Sequence, residues 1–287
     1  MAFSGKLSFN PMVDTLKDKD GKPFQFQPPS GNDLPGQGFE TGRDTYEPPS
    51  PTPTPDSSVN VVVSPTSNRL QVLEPFGPWD GKEFKNVRVL VKVQGKCTTD
   101  HISAAGPWLK YKGHLENIAE NTLIGAMNAD NGQVNVVRDI TNGKDDSIPA
   151  VAKSYKSQNM PWMVIADHNY GEGSAREHAA LQVRYLGCPL IISRSFARIH
   201  ETNLKKQGVL PLTFANESDW EKINGGDVVE TVGVKDLAPG KPVQLLVTKE
   251  DGSKLTIDAK HTMSVDQIEW FQKGSALNLI KEKADAA

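Results

Sequence analysis

A run of eight residues, Gly171 to His178, brings together two glycines, a serine, an arginine and a histidine in the order GEGSAREH. The glycines allow the backbone to turn tightly and to approach a ligand closely. A helix is predicted to follow, and the N–H groups of its first turn lack partners within the helix, which favours anion binding. Arg176 adds a planar cation suited to a carboxylate. Ser174 is placed either to cap this helix or to act as an alkoxide stabilised by these N–H groups and Arg176.

The spacing of these residues alone does not decide whether the run has a catalytic or a purely structural role. A capped turn between a strand and a helix, with Arg176 at the surface, is the commoner use of a glycine–serine sequence. Three specific alternatives fail on residue identity. The dinucleotide fingerprint requires a third glycine at position 176, and the phosphate-binding loop ends in Gly-Lys-Ser/Thr. The nucleophile elbow of hydrolases also requires glycine two residues after its serine.

A second polar segment, from Gly95 to Ser103, follows a predicted strand. An aspartate beside a histidine, here Asp100 and His101, can tune an imidazole for proton transfer. Adjacent side chains do not face each other in a strand or a helix, so the two need not interact. From spacing alone, a polar loop without a catalytic role is the favoured interpretation.

A third segment, Ser195 to Asn203, is predicted to begin a helix. Arg198 and Glu201 are three residues apart and are predicted to pair on one face of it. A histidine inside a helix, such as His200, is more often a packed residue than a catalyst.

The composition describes a globular chain that is nearly neutral. It has 287 residues, of which 37% are hydrophobic, and its 32 Lys and Arg against 35 Asp and Glu give a net charge of -3. This balance argues against a general nucleic-acid binder. The two cysteines, Cys97 and Cys188, cannot alone supply a four-ligand zinc or iron–sulfur site, and they indicate a reducing compartment. No apolar run is long enough for a membrane span, and the first residues lack the features of a signal or transit peptide.

Alternating strands and helices are predicted to position the serine run. It lies between a buried strand at 162–166 and a helix at 174–186 that Gly187 ends. The next elements are predicted to be strand 189–193, helix 196–207 and strand 209–214. This order indicates α/β layers.

The flanking regions add further elements. A strand at 87–93 precedes the second polar segment, and the stretch 109–129 is predicted to contain a helix. Further strands are predicted at 227–234, 243–248 and 254–258, with a hairpin turn at Asp251–Gly252. A last helix is predicted from Ser264, which forms a capping box with Gln267 and buries Ile268, Phe271, Leu277 and Ile280. The proline-rich stretch 48–55 is predicted to be an extended strap or a mobile linker.

Taken together, these segments resemble the C-terminal part of aconitases. The matching runs are 95–106, 171–178 apart from position 175, and 195–208, and the proline-rich stretch resembles the linker into that family's last domain. In the family this last domain is a swivelling β/β/α domain, like the small subunit of isopropylmalate isomerases. It closes over a [4Fe–4S] cluster held by three cysteines of a different domain. The resemblance thus implies an α/β fold of this swivelling type, preceded by an extended proline-rich linker, with the cluster ligands outside this chain.

The resemblance also implies a hydro-lyase that acts on a small tricarboxylate. In the family the cluster iron serves as a Lewis acid, and a serine alkoxide removes a proton from the carbon next to the one that loses water. Ser174 matches the catalytic base and Arg176 matches a substrate-carboxylate arginine. The active-site loop of the family is matched by Thr99, Asp100, His101 and Ser103. We expect Asp100 and His101 to belong to the catalytic group, and Thr99 and Ser103 to contact substrate.

Two departures from the family pattern fall on substrate contacts. Ala175 stands where the family has a second serine, and Lys112 stands where it has an arginine before Gly113-His114-Leu115. Alanine removes a hydroxyl donor, and lysine keeps the charge but loses the planar fork. We therefore expect an altered carboxylate pocket and activity on citrate, on homocitrate or on both, with the homocitrate dehydratase subfamily as the first to test.

The resemblance sets the predicted organisation. Residues 1–30 are expected to end the preceding aconitase domain, 31–68 to form the linker and 69–287 to form the swivel domain. The protein is expected to be monomeric and in the mitochondrial matrix, with the cluster-bearing domains as partners within the molecule. The chain alone is expected to fold but to remain inactive. Two alternatives stay open: a separate small subunit, disfavoured by the linker, and an RNA-binding aconitase relative, disfavoured by the net charge.

Overall fold

The computed structural model describes residues 3–31, 36, 38, 45–49 and 58–286. Two compact units divide the chain, Met1–Asn60 and Val61–Ala287. In the first unit, β1 (Leu16–Lys17) pairs with β2 (Pro23–Phe24). The predicted proline-rich strap lies outside the described residues from position 50 onward. The predicted domain boundaries at 30 and 68 stay predictions.

The second unit contains the remaining elements. Its strands are β3 Val87–Lys92, β4 Val137–Asp139, β5 Lys144–Asp146, β6 Trp162–Ala166, β7 Leu190–Ser193, β8 Leu210–Phe214, β9 Val228–Val232, β10 Val243–Thr248 and β11 Lys254–Lys260. Its α-helices are α1 Thr99–Ile102, α2 Leu115–Ile118, α3 Ile148–Ser157, α4 Glu177–Tyr185, α5 Arg198–Lys206, α6 Val265–Lys273 and α7 Ala276–Asp285. Short 3-10 helices occupy Gly106–Tyr111, Ala119–Asn121 and Glu217–Lys222. None of the helices in the described ranges is long and apolar enough to cross a membrane.

Seven strands close into a barrel in the order β10-β11-β8-β7-β6-β3-β9. Neighbours from β3 through β6 and β7 to β8 run parallel, and the other pairs run antiparallel. On β6, Met163 and Ile165 pack into the barrel interior, while Trp162, Val164 and Ala166 pack in the second core, beneath α3 and α4. Helices covering one part of a closed sheet confirm the predicted α/β class.

The parallel arrangement places three loops at one edge of the sheet. β3, β6 and β7 are parallel neighbours, so their carboxyl ends lie side by side. The loops that follow them contain the three chemically promising segments of the sequence. Open α/β sheets bind ligands at this edge for the same reason.

Helix boundaries differ from the sequence predictions in three places. The helix predicted from Ser174 begins only at Glu177, because Gly173 has φ +116 and Arg176 is extended. The predicted helical stretch at 109–129 contains only α2 and short 3-10 turns, and Leu123 has a left-handed backbone with φ 60. The last helix is two helices, because Gly274 adopts φ 88 and ends α6.

Two residues predicted to be buried are exposed in the structure, and two elements are present that the sequence did not predict. Leu277 and Ile280 lie on α7 with 70% and 60% of their surface exposed, so they do not belong to the core. α3 and the β4–β5 hairpin lie in the stretch 137–157, for which the sequence predicted no helix or strand. Asn142 and Gly143 lie in the turn of that hairpin, with Gly143 at φ 72.

Candidate active site

Backbone hydrogen bonds join the loop after β3 to the loop after β6. The Gly171 N–H donates to the Cys97 carbonyl at 2.8 Å, and the Thr99 N–H donates to the Glu172 carbonyl at 2.8 Å. These bonds form a parallel bridge beyond the ends of the two strands. The polar segment at 95–103 and the serine run are thereby held in one fixed register.

The loop after β7 is attached to the other side of the serine run. The Tyr170 N–H donates to the Ser195 carbonyl and the Ala197 N–H donates to the Tyr170 carbonyl, each at 2.9 Å. The Ser195 hydroxyl also accepts from the Asn169 N–H at 2.8 Å. All three predicted segments therefore meet at the carboxyl edge of the sheet.

An ion pair strengthens this junction. Asp167, the first residue after β6, accepts from the Gly95 N–H at 2.9 Å and from Arg194 Nη1 at 3.0 Å. Burial alone would raise the pKa of Asp167, but the hydrogen bonds from Gly95 and Arg194 hold it below its usual value. Arg194 also donates to Glu221 at 2.8 Å and lies over the Trp220 ring, 4.5 Å from its centroid. One carboxylate thus ties together the loops after three parallel strands.

Arg176 is held in place by the loop after β3. Its Nη1 donates to Asp100 Oδ1 at 2.6 Å and to the Ser103 carbonyl at 2.8 Å. The hydrogen bond from Arg176 holds the pKa of Asp100 below its usual value. Only 12% of the Arg176 side chain is exposed, against 61% for Asp100. The structure therefore brings Arg176, Asp100 and Ser103 together and fixes the Arg176 guanidinium.

Ser174 lies in the exposed turn two residues before Arg176. Its hydroxyl has no hydrogen-bond partner among the described residues, and the N-cap position of α4 is occupied by Arg176. The prediction that Ser174 caps the helix is therefore wrong, and its hydroxyl is available to a ligand. Gly173 beside it approaches Thr99, whose buried Oγ1 would lie 3.0 Å from a Cβ at that position.

His101 serves the architecture of the loop after β3. Its Nδ1 accepts from the Thr98 N–H at 3.2 Å, and the Thr98 hydroxyl accepts from the His101 N–H, which forms a capping box at α1. Its backbone also lies against Gly125, where a Cβ would come within 2.8 Å of the His101 Cα. The His101 ring is thus fixed by its own helix cap.

The two positions that depart from the family pattern lie at the solvent side of the site. Ala175 and Lys112 are both exposed. Burial lowers the pKa of His178, and the positive charges of Arg176 and Lys112 lower it further. Within the ranges that the structure describes, Lys112 forms no ion pair.

The cysteines do not fit a metal cluster. Cys97 and Cys188 are both free and buried. Burial raises the pKa of Cys97 to about 12 and also raises the pKa of Cys188, so both thiols are protonated at neutral pH. No group of three or more His, Cys, Asp or Glu side chains in the described residues is arranged to hold a metal ion.

Sequence reasoning missed the Asp167–Arg194 pair and misassigned another one. Charged residues directly after two buried strands were the available signal for that pair. The predicted pairing of Arg198 with Glu201 is wrong, because Glu201 pairs with Lys205 at 3.1 Å. Lys205 is almost fully buried and Arg198 is exposed, so the buried cation takes the carboxylate.

Comparisons with known proteins identify the family to which this chain is similar. Residues 87–217 match the family model described as the aconitase C-terminal domain. The homocitrate dehydratase of Saccharomyces cerevisiae mitochondria is 58% identical over 285 residues, which are 98% of this chain and 36% of that protein. The mitochondrial aconitate hydratase of Aspergillus fumigatus is 56% identical over 287 residues, which are 100% of this chain and 36% of that protein.

The chain therefore spans little more than a third of the length of these relatives. Among solved structures, a 3-isopropylmalate dehydratase from Methanocaldococcus jannaschii aligns at 20% identity with a TM-score of 0.45, covering 70% of this chain and 95% of that one. The family match and the relatives that cover nearly all of this chain lead to one conclusion. The chain carries a C-terminal domain of the aconitase family.

Proposed function

We propose that this chain is the C-terminal part of an aconitase-type hydro-lyase that dehydrates and rehydrates a hydroxy-tricarboxylate. The observation that carries the proposal is that one turn presents both a fixed arginine and an exposed serine. Arg176 is fixed by Asp100 and the Ser103 carbonyl, and Ser174, two residues away, is exposed and its hydroxyl has no partner among the described residues. The names of relatives that match nearly all of the chain, aconitate hydratase and homocitrate dehydratase, support the same reaction class.

Each residue of this turn contributes a separate step. Arg176 binds a substrate carboxylate through charge-assisted hydrogen bonds, and Asp100 orients its guanidinium. Ser174, as an alkoxide, takes a proton from the substrate carbon next to the one that bears the hydroxyl group. In the reverse direction the Ser174 hydroxyl returns this proton to the same carbon. The buried hydroxyls of Thr99 and Ser103 have no hydrogen-bond partner among the described residues, so they are available to hold the substrate or the serine turn.

The rest of the machinery is proposed to lie outside this chain. In the family a [4Fe–4S] cluster supplies Lewis-acid chemistry and is held by three cysteines, more than the two that this chain contains. We place its ligands in the domains that make up the remaining length of the relatives. The same resemblance supports a mitochondrial location, since these relatives carry that word in their names. The isolated chain is then expected to fold and to lack turnover.

Lys112 and Ala175 support a substrate one methylene longer than citrate. A lysine in place of an arginine loses bidentate contact, and an alanine in place of a serine opens space and removes a donor. Both changes relax a pocket that would otherwise fix the carboxylates of citrate closely. Homocitrate, with its additional methylene, is the substrate that we propose for this pocket, with citrate as a second one.

Substitution of Ser174 tests the proposed reaction. In the full-length, cluster-reconstituted enzyme, Ser174→Ala is expected to lower kcat by about 10²–10⁴-fold, the range of a general base. KM is expected to change little, because Arg176 remains in place. The measurement is hydration of cis-aconitate and homoaconitate, followed with a thermal melt of each variant.

Ser157→Ala is the matched control, because Ser157 is an exposed serine at the end of α3, before β6 begins and away from its carboxyl end. Its kcat is expected to stay within twofold of the wild type. A Ser174→Ala enzyme with unchanged kcat and a normal melt would remove the base from this chain and with it the proposed function.

A further inference from the structure

A buried imidazole lies directly beneath the serine run. His200, in the first turn of α5, has only 1% of its surface exposed. A Cβ at Gly171 would overlap the ring carbons Cγ and Cδ2 of His200, and Gly171 has φ +83. Both the close approach and the backbone conformation therefore require glycine at this position. Gly171 rests on the face of the His200 side chain without an intervening group.

The ring is neutral and has no polar partner. Burial lowers the pKa of His200 to about 4, so the side chain is uncharged at neutral pH. Neither Nδ1 nor Nε2 makes a hydrogen bond within the part of the chain that the structure describes. The ring packs edge-on against Tyr170, with centroids 5.3 Å apart. Buried polar groups are rarely left unpaired, and an aliphatic side chain would fill this space without that cost.

The position of His200 bears on Ser174 through a short, loosely held span. Glu172 is the last residue before Ser174 whose backbone is bonded to a neighbouring loop, through its carbonyl and the Thr99 N–H. Arg176 is the next fixed point, through Asp100 and Ser103. Ser174 lies between these two points. The separation between the Gly171 backbone and the His200 ring thus sets the position at which the span from Glu172 to Arg176 begins.

We propose that His200 is a positioning residue for Ser174, with its ring serving as the support that fixes the start of the serine turn. The proposal rests on the proposed function, in which Ser174 is the base. It separates two tasks within one loop: His200 positions the base, and Asp100 with Ser103 positions the carboxylate-binding arginine. A disturbance at His200 is therefore expected to change kcat and to leave KM nearly unchanged.

Substitutions that add a side chain at Gly171 or remove the ring at His200 test the contact between them in the full-length enzyme. Gly171→Ala pushes a methyl into the ring and is expected to lower kcat by about 10–100-fold, the loss typical of a misplaced catalytic group, with KM within twofold. His200→Ala removes the support and is expected to lower kcat as well. The double variant places the methyl in the vacated space, so its kcat is expected to exceed that of Gly171→Ala. His200→Asn, which keeps a planar polar group, is expected to lie closer to the wild type than His200→Ala.

Gly252→Ala is the matched control. Gly252 has φ +82, almost the value of Gly171, but no atom lies within 4 Å of a Cβ there. The control therefore carries the same backbone strain without the contact, and its kcat is expected to equal that of the wild type. Thermal melts and amide hydrogen exchange of the 287-residue chain report separately whether each variant folds and whether the serine turn is protected.

The outcomes distinguish the two proposals. If Ser174→Ala abolishes turnover but the effects of Gly171→Ala and His200→Ala on kcat simply multiply, His200 does not position the base and the reaction assignment stands. If KM of these variants rises by as much as their kcat falls, the whole site is disturbed, and that result would also overturn the positioning role. If Ser174→Ala leaves kcat unchanged, the reaction assignment itself fails. Should Gly171→Ala fail to fold, the comparison of His200→Ala, His200→Asn and the wild type still decides the role.

Discussion

The parallel and antiparallel halves of the barrel are built differently and carry different features. In the parallel half, β6 is buried on both faces, and the loops after β3, β6 and β7 contain the residues of the candidate site. In the antiparallel half, β10 alternates, with Val243 and Leu245 buried and Gln244 exposed. Its hairpin to β11 turns at Gly252, where none of the described atoms lies within 4 Å of a Cβ.

Strand direction explains this difference. Parallel strands bring all their carboxyl ends to one edge, so segments far apart in sequence meet there. Hairpins send successive turns to opposite ends, which separates the loops. The antiparallel half therefore completes the barrel and its core, and the parallel half brings the residues of the candidate site together. The comparison predicts that mutations in one half change stability alone and that mutations in the other also change activity.

The largest expected effect is in the antiparallel half. Leu245→Ala removes a fully buried side chain from the barrel interior and is expected to lower the free energy of unfolding by about 2–5 kcal/mol. The kcat of the folded full-length enzyme is expected to remain unchanged. Urea denaturation of the chain and initial rates of the enzyme give the two quantities.

The neighbouring residue on the same strand is the control for this prediction. Leu246 points to the other face with 36% of its surface exposed, so Leu246→Ala is expected to change the free energy of unfolding by less than about 1 kcal/mol. A marked loss of kcat in folded Leu245→Ala enzyme would break the comparison, since the antiparallel half would then influence the chemistry.

An intermediate effect is expected at the junction of the parallel half. Asp167→Asn weakens the bonds to Gly95 and Arg194 and is expected to cost about 1–3 kcal/mol at pH 7, together with a loss of kcat. Because the pKa of Asp167 is lowered in the folded state, its ionised form contributes stability above the unfolded pKa, about 3.9. That contribution is lost as pH falls through the folded pKa. The difference between wild type and variant is therefore expected to shrink between pH 7 and pH 2.5 in urea denaturation.

Asp258→Asn on β11 is the control for this pH dependence. Asp258 is exposed and accepts one hydrogen bond from the Gln244 side chain, 2.9 Å away. Its replacement is expected to change stability by less than about 0.5 kcal/mol at pH 7. A difference between wild type and Asp167→Asn that stays constant with pH would show that Asp167 is not a stabilising carboxylate.

Sequence patterns predicted the strands of both halves far better than the contacts of the site. Trp162–Ala166 and Val243–Thr248 were predictable, because buried and alternating apolar runs are local signals. The start of α4 at Glu177 was not predictable from local patterns. It depends on Gly173 lying against Thr99, a residue brought there by strand pairing. The same holds for the support of Gly171 by His200.

Contacts between loops depend on which strands are neighbours. Arg176 and Asp100 are 76 residues apart and meet only because β3 and β6 are parallel partners. α3, which begins at Ile148, was not predicted, although Pro149 lies in its first turn, a position that proline tolerates. Local patterns therefore identify elements, and the functional geometry follows from their arrangement.

The smallest expected effect concerns which substrate the parallel half selects. Ala175→Ser with Lys112→Arg restores a hydroxyl donor and a planar cation at the solvent side of the site. Relative to the single variants and the wild type, we expect the ratio of kcat/KM for cis-aconitate over homoaconitate to rise about 10-fold, the size of a one-methylene discrimination. The control is Lys110→Arg, an exposed lysine two residues away that precedes the family position. An unchanged ratio would mean that substrate choice lies in parts of the enzyme outside this chain, and the parallel half would then supply the base and the arginine without selecting the substrate.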